Sequence, residues 1–267
     1  MKIVILNGSP NQDTHPFEGY LASFITRLES AGHMVDHIIL RDLEIRHCTG
    51  CFGCWVKTPG ECVIPDDSCR VSRAMINADF VLWSAPLVMG YPAALLKQMM
   101  DRSIPLIHPY FTLDRGEAHH RARYERYPRL GLLVQPEAET SAADLHLLAD
   151  LFGRTAINMK SRLEFLRGTD QAVEDLVRAV VQPGALPTFD RAYTQPTTGV
   201  QVEPPARLSV FNGSPRGPQG NTPILLGQFA AGFAGAGGQV EPVLHLFRTR
   251  RGADFIEAFR RHTAPSS

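Results

Sequence analysis

The chain has no excess of charge of either sign. Its 267 residues contain 27 lysines and arginines against 27 aspartates and glutamates, which gives a formal net charge of zero and a pI near 7.2. A protein that is drawn to nucleic acid or to an anionic membrane by its overall field needs a basic surplus. We therefore expect neither a nucleic-acid partner nor a membrane partner.

Long apolar runs and a disulfide framework are also missing. The apolar stretch at residues 2–6 is too short for the core of a signal peptide, and no run approaches the length of a membrane-spanning helix. Cysteine is scarce: there are five, an odd number, and four of them are crowded together. Small secreted domains usually pair an even number of cysteines in disulfides. We therefore expect a cytoplasmic protein whose thiols stay reduced.

The crowded cysteines form the most informative motif. Cys48, Cys51 and Cys54 are separated by two residues each, Cys62 follows, and Cys69 lies nearby without an obvious partner. Three thiolates can then reach one centre from a single loop, and a fourth closes a tetrahedral sulfur cage. The pattern favours a [4Fe-4S] cluster on the first four cysteines. Zinc, which usually takes its ligands as two separated pairs, and thiols without any metal are the alternatives.

Predicted strands and helices alternate over residues 1–182. The strands are predicted at 2–6, 35–40, 79–84, 129–135 and 156–165, and the helices around 21–28, 71–76, 93–100, 141–152 and 172–181. This alternation indicates a mostly parallel, doubly wound sheet with helices on both faces. The polar stretch at 105–128, rich in histidine and arginine, falls outside the scheme. We predict that it is a solvated loop and that its adjacent His119 and His120 are exposed.

The chain repeats part of itself. Residues 207–245 align with residues 2–40 at one fixed offset and without a gap, so that the NGSP turn recurs. The second copy ends before the remaining three strands, so its own strands need partners elsewhere. We predict a domain at 1–182 with the cysteine segment at 46–69, a linker at 183–205 and a partial repeat at 206–267. We also predict a homo-oligomer, because packing across a subunit interface is one way to complete the partial repeat.

The NGSP turn has a recognisable chemistry. A Gly-Ser turn between a first parallel strand and a helix presents backbone N–H groups and a hydroxyl at a positive helix N-terminus, which suits a phosphate. An ordinary tight turn is the alternative. In the second copy, Arg216, Asn221 and Thr222 add a guanidinium, an amide and a hydroxyl that also suit a phosphate.

Three segments together resemble a known family. The strand that ends in NGSP, the segment CTGCFGCWVKTPGECVIPDD and the segment SAPLVMGYPAALLKQMMDR are similar to the flavodoxin-like NADPH-dependent FMN reductases and, within them, to the iron-sulfur flavoproteins. The resemblance covers about residues 2–180. It implies an α/β, flavodoxin-like, doubly wound five-stranded parallel sheet of order 2-1-3-4-5, with FMN at the carboxyl ends of its strands.

The resemblance also implies which loops hold the cofactor. The loop at 9–14 would bind the phosphate, the loop at 86–91 would flank the isoalloxazine, and the loop at 135–140 would approach its other side. The residues expected to contact FMN are Ser9, Asn11, Thr14, Pro86, Leu87, Val88, Met89, Gly90, Tyr91 and Gln135.

The first copy departs from the family pattern. The family loop commonly reads GSPRxxGNT, whereas this chain has Asn11 in place of the arginine and an additional anion at Asp13. Leu87 replaces an aromatic residue, although Tyr91 lies close by. Three arrangements follow: FMN on the first loop, FMN on the second-copy loop with support from another surface, or no flavin.

The implied activity is that of an FMN-dependent NAD(P)H oxidoreductase. Reduced nicotinamide delivers two electrons as a hydride, whereas an iron-sulfur cluster moves one at a time, so FMN would convert between them. The donor would be NAD(P)H or a ferredoxin-like protein, and the acceptor is unidentified. No side chain is predicted to act as an acid, base or nucleophile. The alternatives are a non-catalytic binding or assembly protein with zinc or metal-free cysteines, and a thiol-based redox sensor.

Overall fold

The computed structural model describes residues 1–11, 15–114, 117–182, 206–212, 221–242 and 244–245. The chain divides into two compact units, Met1–Ala192 and Tyr193–Ser267, and each is considered by itself. Thr14, the predicted linker at 183–205 and the part of the second NGSP loop that contains Arg216 lie outside the described residues.

The first unit alternates strands and helices. In chain order its elements are β1 (Lys2–Asn7), α1 (His15–Ser30), β2 (Met34–Ile39), α2 (Gly53–Val56), α3 (Ser68–Ile76), β3 (Phe80–Val88), β4 (Tyr91–Pro92), α4 (Ala94–Asp101), β5 (Ile107–Asp114), β6 (Glu117–Ala122), β7 (Arg129–Gln135), α5 (Ala142–Asn158), β8 (Leu163–Gly168) and α6 (Val173–Val181). Two short 3₁₀ turns, Leu40–Asp42 and Ile104–Leu106, follow β2 and α4.

The main sheet has five parallel strands in the order β2-β1-β3-β7-β8. Counted along the chain, these strands are the second, first, third, fourth and fifth, so the flavodoxin-like order 2-1-3-4-5 is confirmed. Strands β1 and β3 are almost wholly buried, because a parallel sheet with helices on both faces leaves neither face to water.

Alternate residues of each strand serve two separate cores. On β1, Ile3 and Ile5 belong to one core and Val4 and Leu6 to the other, as expected for side chains that point to opposite faces. The first core takes its helical side chains from α1 and α6, for example Phe17, Phe24 and Leu176. The second takes them from α3, α4 and α5, for example Val71, Leu96 and Phe152.

The structure corrects two predictions on the carboxyl-terminal half of this unit. Residues 156–158 belong to α5, and the fifth strand begins only at Leu163. Leu148, Phe152 and Ala156 recur at helical spacing and are buried, so the apolar run continues the helix rather than starting a strand.

The stretch at 105–128 is not a solvated loop. It contains an antiparallel hairpin of β5 and β6. His119 is only 5% exposed, and its ring contacts Asn158 Oδ1 at 3.2 Å and Glu117 Oε2 at 3.1 Å. The prediction that His119 is exposed was therefore wrong.

The second unit contains four short strands and one helix among its described residues: β9 (Arg207–Leu208), β10 (Phe211–Asn212), α7 (Asn221–Gly235), β11 (Gln239–Val240) and β12 (Leu244–His245). The strands form two parallel pairs, β9 with β11 and β10 with β12. The pairing of Arg207 with Gln239 repeats, at the sequence offset of the two copies, that of Lys2 with Met34. The domain and linker bounds predicted from the sequence stay predictions.

Candidate functional site

Three loops leave the same edge of the main sheet side by side. Asn7 pairs with Ser84, and Pro86 pairs with Gln135, so β1, β3 and β7 end at adjacent positions. Ligands of open parallel sheets bind at this carboxyl edge. The structure thus brings Ser9, Asn11, the residues at 86–91 and Gln135 to one edge, where they are expected to contact FMN.

The loop after β1 is held tightly against its surroundings. Gly8 donates its N–H to the carbonyl of Ser84 at 2.8 Å, and a Cβ on Gly8 would lie 2.7 Å from the Cβ of Leu96 on α4. Only glycine fits at that distance. Ser9 is buried; its N–H donates to Asn7 Oδ1 at 2.9 Å and its hydroxyl to the Asn11 carbonyl at 3.0 Å.

A guanidinium reaches this loop from another element. Arg41, in the 3₁₀ turn after β2, donates to Glu18 Oε1 at 2.7 Å and to the Ser9 carbonyl at 3.3 Å. Its Nε is buried and has no hydrogen-bond partner among the described residues. Sequence reasoning missed Arg41, because nothing local links position 41 to position 9. Arg41 therefore lies close enough to this loop to replace the arginine that the family has at position 11.

The loop after β3 is a tight hairpin that joins β3 to β4. Met89 and Gly90 form its turn with φ angles of 54° and 76°, and their N–H groups donate to the two carboxylate oxygens of Glu137 at 3.0 and 2.8 Å. Glu137 belongs to the loop after β7, so one carboxylate ties together the two loops expected to lie on either side of the isoalloxazine. It too was missed from the sequence.

The side chains of the 86–91 loop differ in accessibility. Pro86 and Leu87 are buried. Tyr91 is half-buried with its ring 6.0 Å from that of Phe152, and burial raises the pKa of its hydroxyl. Val88 and Met89 are exposed, Met89 to 94%. A ligand at this loop would therefore meet Val88, Met89 and the backbone of the turn.

The cysteine segment lies between β2 and α3. Cys48, Cys51, Cys54 and Cys62 all line one small cavity, which Ile64, Ile104 and Pro105 help to enclose. Gly50 and Phe52 have left-handed backbone, with φ angles of 65° and 55°, which bends the segment between successive cysteines. A Cβ on Gly53 would lie 2.7 Å from Val63 Cγ1, so the chain approaches itself closely there.

The thiols differ in their electrostatic surroundings. The Gly53 N–H and the Thr49 hydroxyl lower the pKa of the exposed Cys51 thiol. Burial raises the pKa of the Cys54 thiol, and the charges of Cys62, Cys48 and Cys51 raise it further. Mutual repulsion of this kind is expected where several thiolates face one cavity, and a cationic metal centre would relieve it.

A buried ion pair closes the neck of the cysteine segment. Arg102, at the end of α4, donates from Nη1 and Nη2 to the two oxygens of Asp66 at 2.6 and 3.0 Å, and from Nη1 to the Arg46 carbonyl at 2.6 Å. Asp66 also accepts from the N–H groups of Arg46 and Ser68. Residues 46 and 66, the two ends of the segment, are thereby joined. We call this arrangement the Arg102 clasp.

The clasp reaches the cysteines directly. Burial lowers the pKa of Arg102, but its hydrogen bonds to Asp66 and the neighbouring Cys62 thiol outweigh that effect and raise it. The guanidinium therefore stays charged beside the fourth cysteine. The Asp66 carboxylate thus binds both this guanidinium and the Ser68 N–H at the start of α3.

Trp55 packs between the cysteine segment and the β5–β6 hairpin. Its Nε1–H donates to the carbonyl of Ile107 at 3.0 Å, and its ring stacks on Phe52 and contacts the ring of His120, with centroids 5.1 and 5.2 Å away. The Trp55 ring thus packs α2, the short helix within the cysteine segment, against the β5–β6 hairpin.

The four thiols are of the type that soft metals prefer, and they line one cavity beside a guanidinium, but they are not drawn together around one point. Within the described ranges, no three side chains of His, Cys, Asp or Glu lie close enough together to hold a metal ion. In the same ranges no helix is both long and apolar enough to cross a membrane.

Comparison with known proteins agrees with this geometry. A doubly wound sheet of this strand order, with three adjacent loops at its carboxyl edge, is the architecture of a flavodoxin-like α/β protein. Residues 1–161 match the family of NADPH-dependent FMN reductases. The chain belongs to that family.

Curated relatives and solved structures extend the comparison. The chain is 33% identical to an iron-sulfur flavoprotein of Archaeoglobus fulgidus over 39% of its own length and 49% of the relative's, and 30% identical to one of Methanosarcina thermophila over 42% and 58%. The matched part thus spans about half the length of these relatives. An NAD(P)H:quinone oxidoreductase of Methanothermobacter marburgensis aligns in structure with a TM-score of 0.47 at 18% identity, over 68% of this chain and 96% of that one.

Proposed function

We propose that the protein is an iron-sulfur flavoprotein, in which FMN at the carboxyl edge of the sheet exchanges electrons with a [4Fe-4S] cluster held by Cys48, Cys51, Cys54 and Cys62. The observation that carries the proposal is that these four thiols line one cavity in a chain of an FMN reductase family. The names of the curated relatives support it.

The flavin is proposed to lie on the first-copy loop. Ser9 and Asn11 would hold the phosphate together with Thr14, and the half-buried Arg41 would supply the guanidinium that position 11 lacks. Residues 86–91, including Pro86, Leu87, Val88, Met89, Gly90 and Tyr91, and Gln135 beyond them would surround the isoalloxazine. Glu137 would set the spacing between those two loops.

The residues of this chain would bind and orient rather than transfer protons. When bound, FMN supplies exchange between hydride and single-electron transfer, and a cluster supplies single-electron transfer. The Arg102 clasp would keep the cysteine segment closed and place a positive charge beside Cys62, which stabilises an anionic sulfur centre.

The electron donor, the cellular compartment and the oligomeric state are further parts of the proposal. NAD(P)H or a ferredoxin-like protein would supply the electrons to an unidentified acceptor. Reduced thiols in the cage would require a reducing compartment, which favours the cytoplasm. The partial repeat after residue 206 favours a homo-oligomer, because its described strands form only two-stranded pairs, which are marginally stable by themselves.

Purification without oxygen tests the proposal. We expect flavin absorption bands, a broad additional band from iron and sulfide, and about four iron atoms per chain. The additional band should bleach on reduction with dithionite. Protein that carries flavin but stoichiometric zinc, or flavin and no metal, would refute the cluster while leaving the family assignment intact.

A further inference from the structure

The turn between β3 and β4 has a backbone shape that binds anions. Val88 pairs with Tyr91, so Met89 and Gly90 alone form the turn, and both have positive φ angles, of 54° and 76°. Successive N–H groups in such a turn can converge on one concavity, a nest that attracts negative charge. In this protein the nest is filled from within, by the two carboxylate oxygens of Glu137.

Met89 is a poor residue for the first position of this turn. A side chain disfavours left-handed backbone, and two-residue hairpin turns with two positive φ angles usually read Asn-Gly. Met89 is also 94% exposed, so packing of its side chain offsets little of this cost. The hydrogen bonds from the N–H groups of Met89 and Gly90 to Glu137, at 3.0 and 2.8 Å, therefore stabilise a conformation that the sequence of the turn does not favour.

Glu137 itself is held by its own loop. Its N–H donates to Thr140 Oγ1 at 2.9 Å, and its carbonyl accepts from the Thr140 N–H at 3.1 Å. The next residue, Ser141, forms a capping box with Asp144 at the start of α5. The loop after β7 thus has its own hydrogen bonds to fix it, whereas the β3–β4 turn depends on a side chain of that loop.

We propose that Glu137 is a positioning residue for the flavin, which fills the nest and so holds the Met89–Gly90 turn in its binding shape before FMN arrives. The inference rests on the proposed function, which puts this turn beside the isoalloxazine. A site that already has its bound shape binds more tightly, because ordering it costs no free energy at the binding step. Glu137 need not touch the flavin to have this effect.

Titration of flavin-free, full-length protein with FMN, followed by flavin fluorescence, tests the inference. Glu137→Ala should weaken FMN binding about tenfold, because a turn that has the binding shape only about a tenth of the time lowers the affinity by that fraction. Met89→Asn supplies a residue that favours the turn without help, so Glu137→Ala/Met89→Asn should regain most of the lost affinity. Glu139→Ala, two positions along the same exposed loop, is the matched control and should bind FMN as the unmodified protein does.

Amide hydrogen exchange in the flavin-free protein tests the turn without any flavin. The N–H groups of Met89 and Gly90 should exchange about tenfold faster in Glu137→Ala, because both lose their acceptor. The melting temperature should hardly change, since both hydrogen bonds lie at the surface.

The two measurements separate the possible failures. Undiminished FMN affinity in Glu137→Ala, or a loss of affinity that Met89→Asn does not repair, would overturn the inference while leaving the flavin site in place. Equal exchange rates in the two proteins would overturn it as well. If the unmodified protein binds no FMN, the proposed function itself is wrong.

Discussion

Arg102 and Asp66 form a bidentate ion pair in which both side chains are fully buried. The pair joins the end of α4 to the neck of the cysteine segment. Removing one partner of a buried pair leaves the other charge uncompensated, which costs far more than losing an exposed pair.

We therefore expect Asp66→Asn to lower the free energy of unfolding by about 3–5 kcal/mol. Glu174→Gln breaks the exposed pair with Arg27 and should cost less than about 1 kcal/mol. Urea denaturation of both variants checks the contrast. Equal losses of unfolding free energy in the two variants would mean that Asp66 does not compensate the buried charge of Arg102.

The same carboxylate predicts how stability depends on pH. Burial opposes the ionisation of Asp66, but hydrogen bonds from Arg102, from the Arg46 N–H and from Ser68 outweigh it and hold the pKa well below its usual range. A depressed pKa in the folded state adds stability that is complete above the unfolded value of about 3.9 and is lost as the pH falls further. Denaturation from pH 7 to pH 2 should show a decline below about pH 4 that is shallower in Asp66→Asn.

Gly8 is expected to tolerate no side chain. Gly8→Ala would place a methyl group against Leu96 and Ala85, and should cost about 1–3 kcal/mol while shifting the loop that is proposed to hold the FMN phosphate. Gly19→Ala, in α1, meets no atom within 4 Å and should stabilise by about 0.5–1 kcal/mol. Thermal unfolding and flavin titration of both variants measure the difference.

The phosphate site is tested by restoring a charge. Asn11→Arg should tighten FMN binding by about tenfold, because a guanidinium bonds to a phosphate with two charge-assisted donors. Asn11→Gln, which adds length but no charge, is the matched control. Fluorescence titration of flavin-free protein measures the affinity.

Arg41→Ala should weaken that affinity if Arg41 supplies the missing cation. Arg216→Ala should leave it unchanged if FMN lies on the first-copy loop. The reverse pattern would place the phosphate on the second copy.

The cage is tested by single thiol replacements. Cys48→Ser, Cys51→Ser and Cys54→Ser should each lose most of the bound iron, because a [4Fe-4S] cluster needs all of its thiolate ligands. Cys69→Ser should keep it, since Cys69 lies outside the cysteine cavity. Iron determination on anaerobic protein provides the measurement, and full iron in Cys51→Ser contradicts the cage.

The sequence predicts the sheet well because its signals are local. Each of β1, β3 and β7 is a run of apolar residues followed by a turn, and β7 is predicted to the residue. The start of β8 is misjudged because the apolar pair Ala156 and Ile157 suits a helix and a strand equally until Ala156 is found in one core with Phe152. The β5–β6 hairpin is missed because Pro109 interrupts β5 and because β6 is mostly polar.

The site is predicted less completely, for a physical reason. The regular spacing of Cys48, Cys51 and Cys54 identifies them in the sequence as possible ligands. Arg102 and Asp66, in contrast, are 36 positions apart and come into contact only in the folded chain. The same holds for Glu137 with Met89, which are 48 positions apart. Sequence spacing can reveal ligands that share a loop, but not the groups that hold one loop to another.

Helix α4 begins two residues after the β3–β4 hairpin and ends one residue before Arg102. Its 8 residues span about 12 Å. Gln98 on the same helix donates to the carbonyl of Ile45, the residue just before the cysteine segment. One short helix thus connects the turn that is proposed to flank the flavin with the segment that is proposed to hold the cluster, so the two proposed sites are joined by regular secondary structure rather than by a loop.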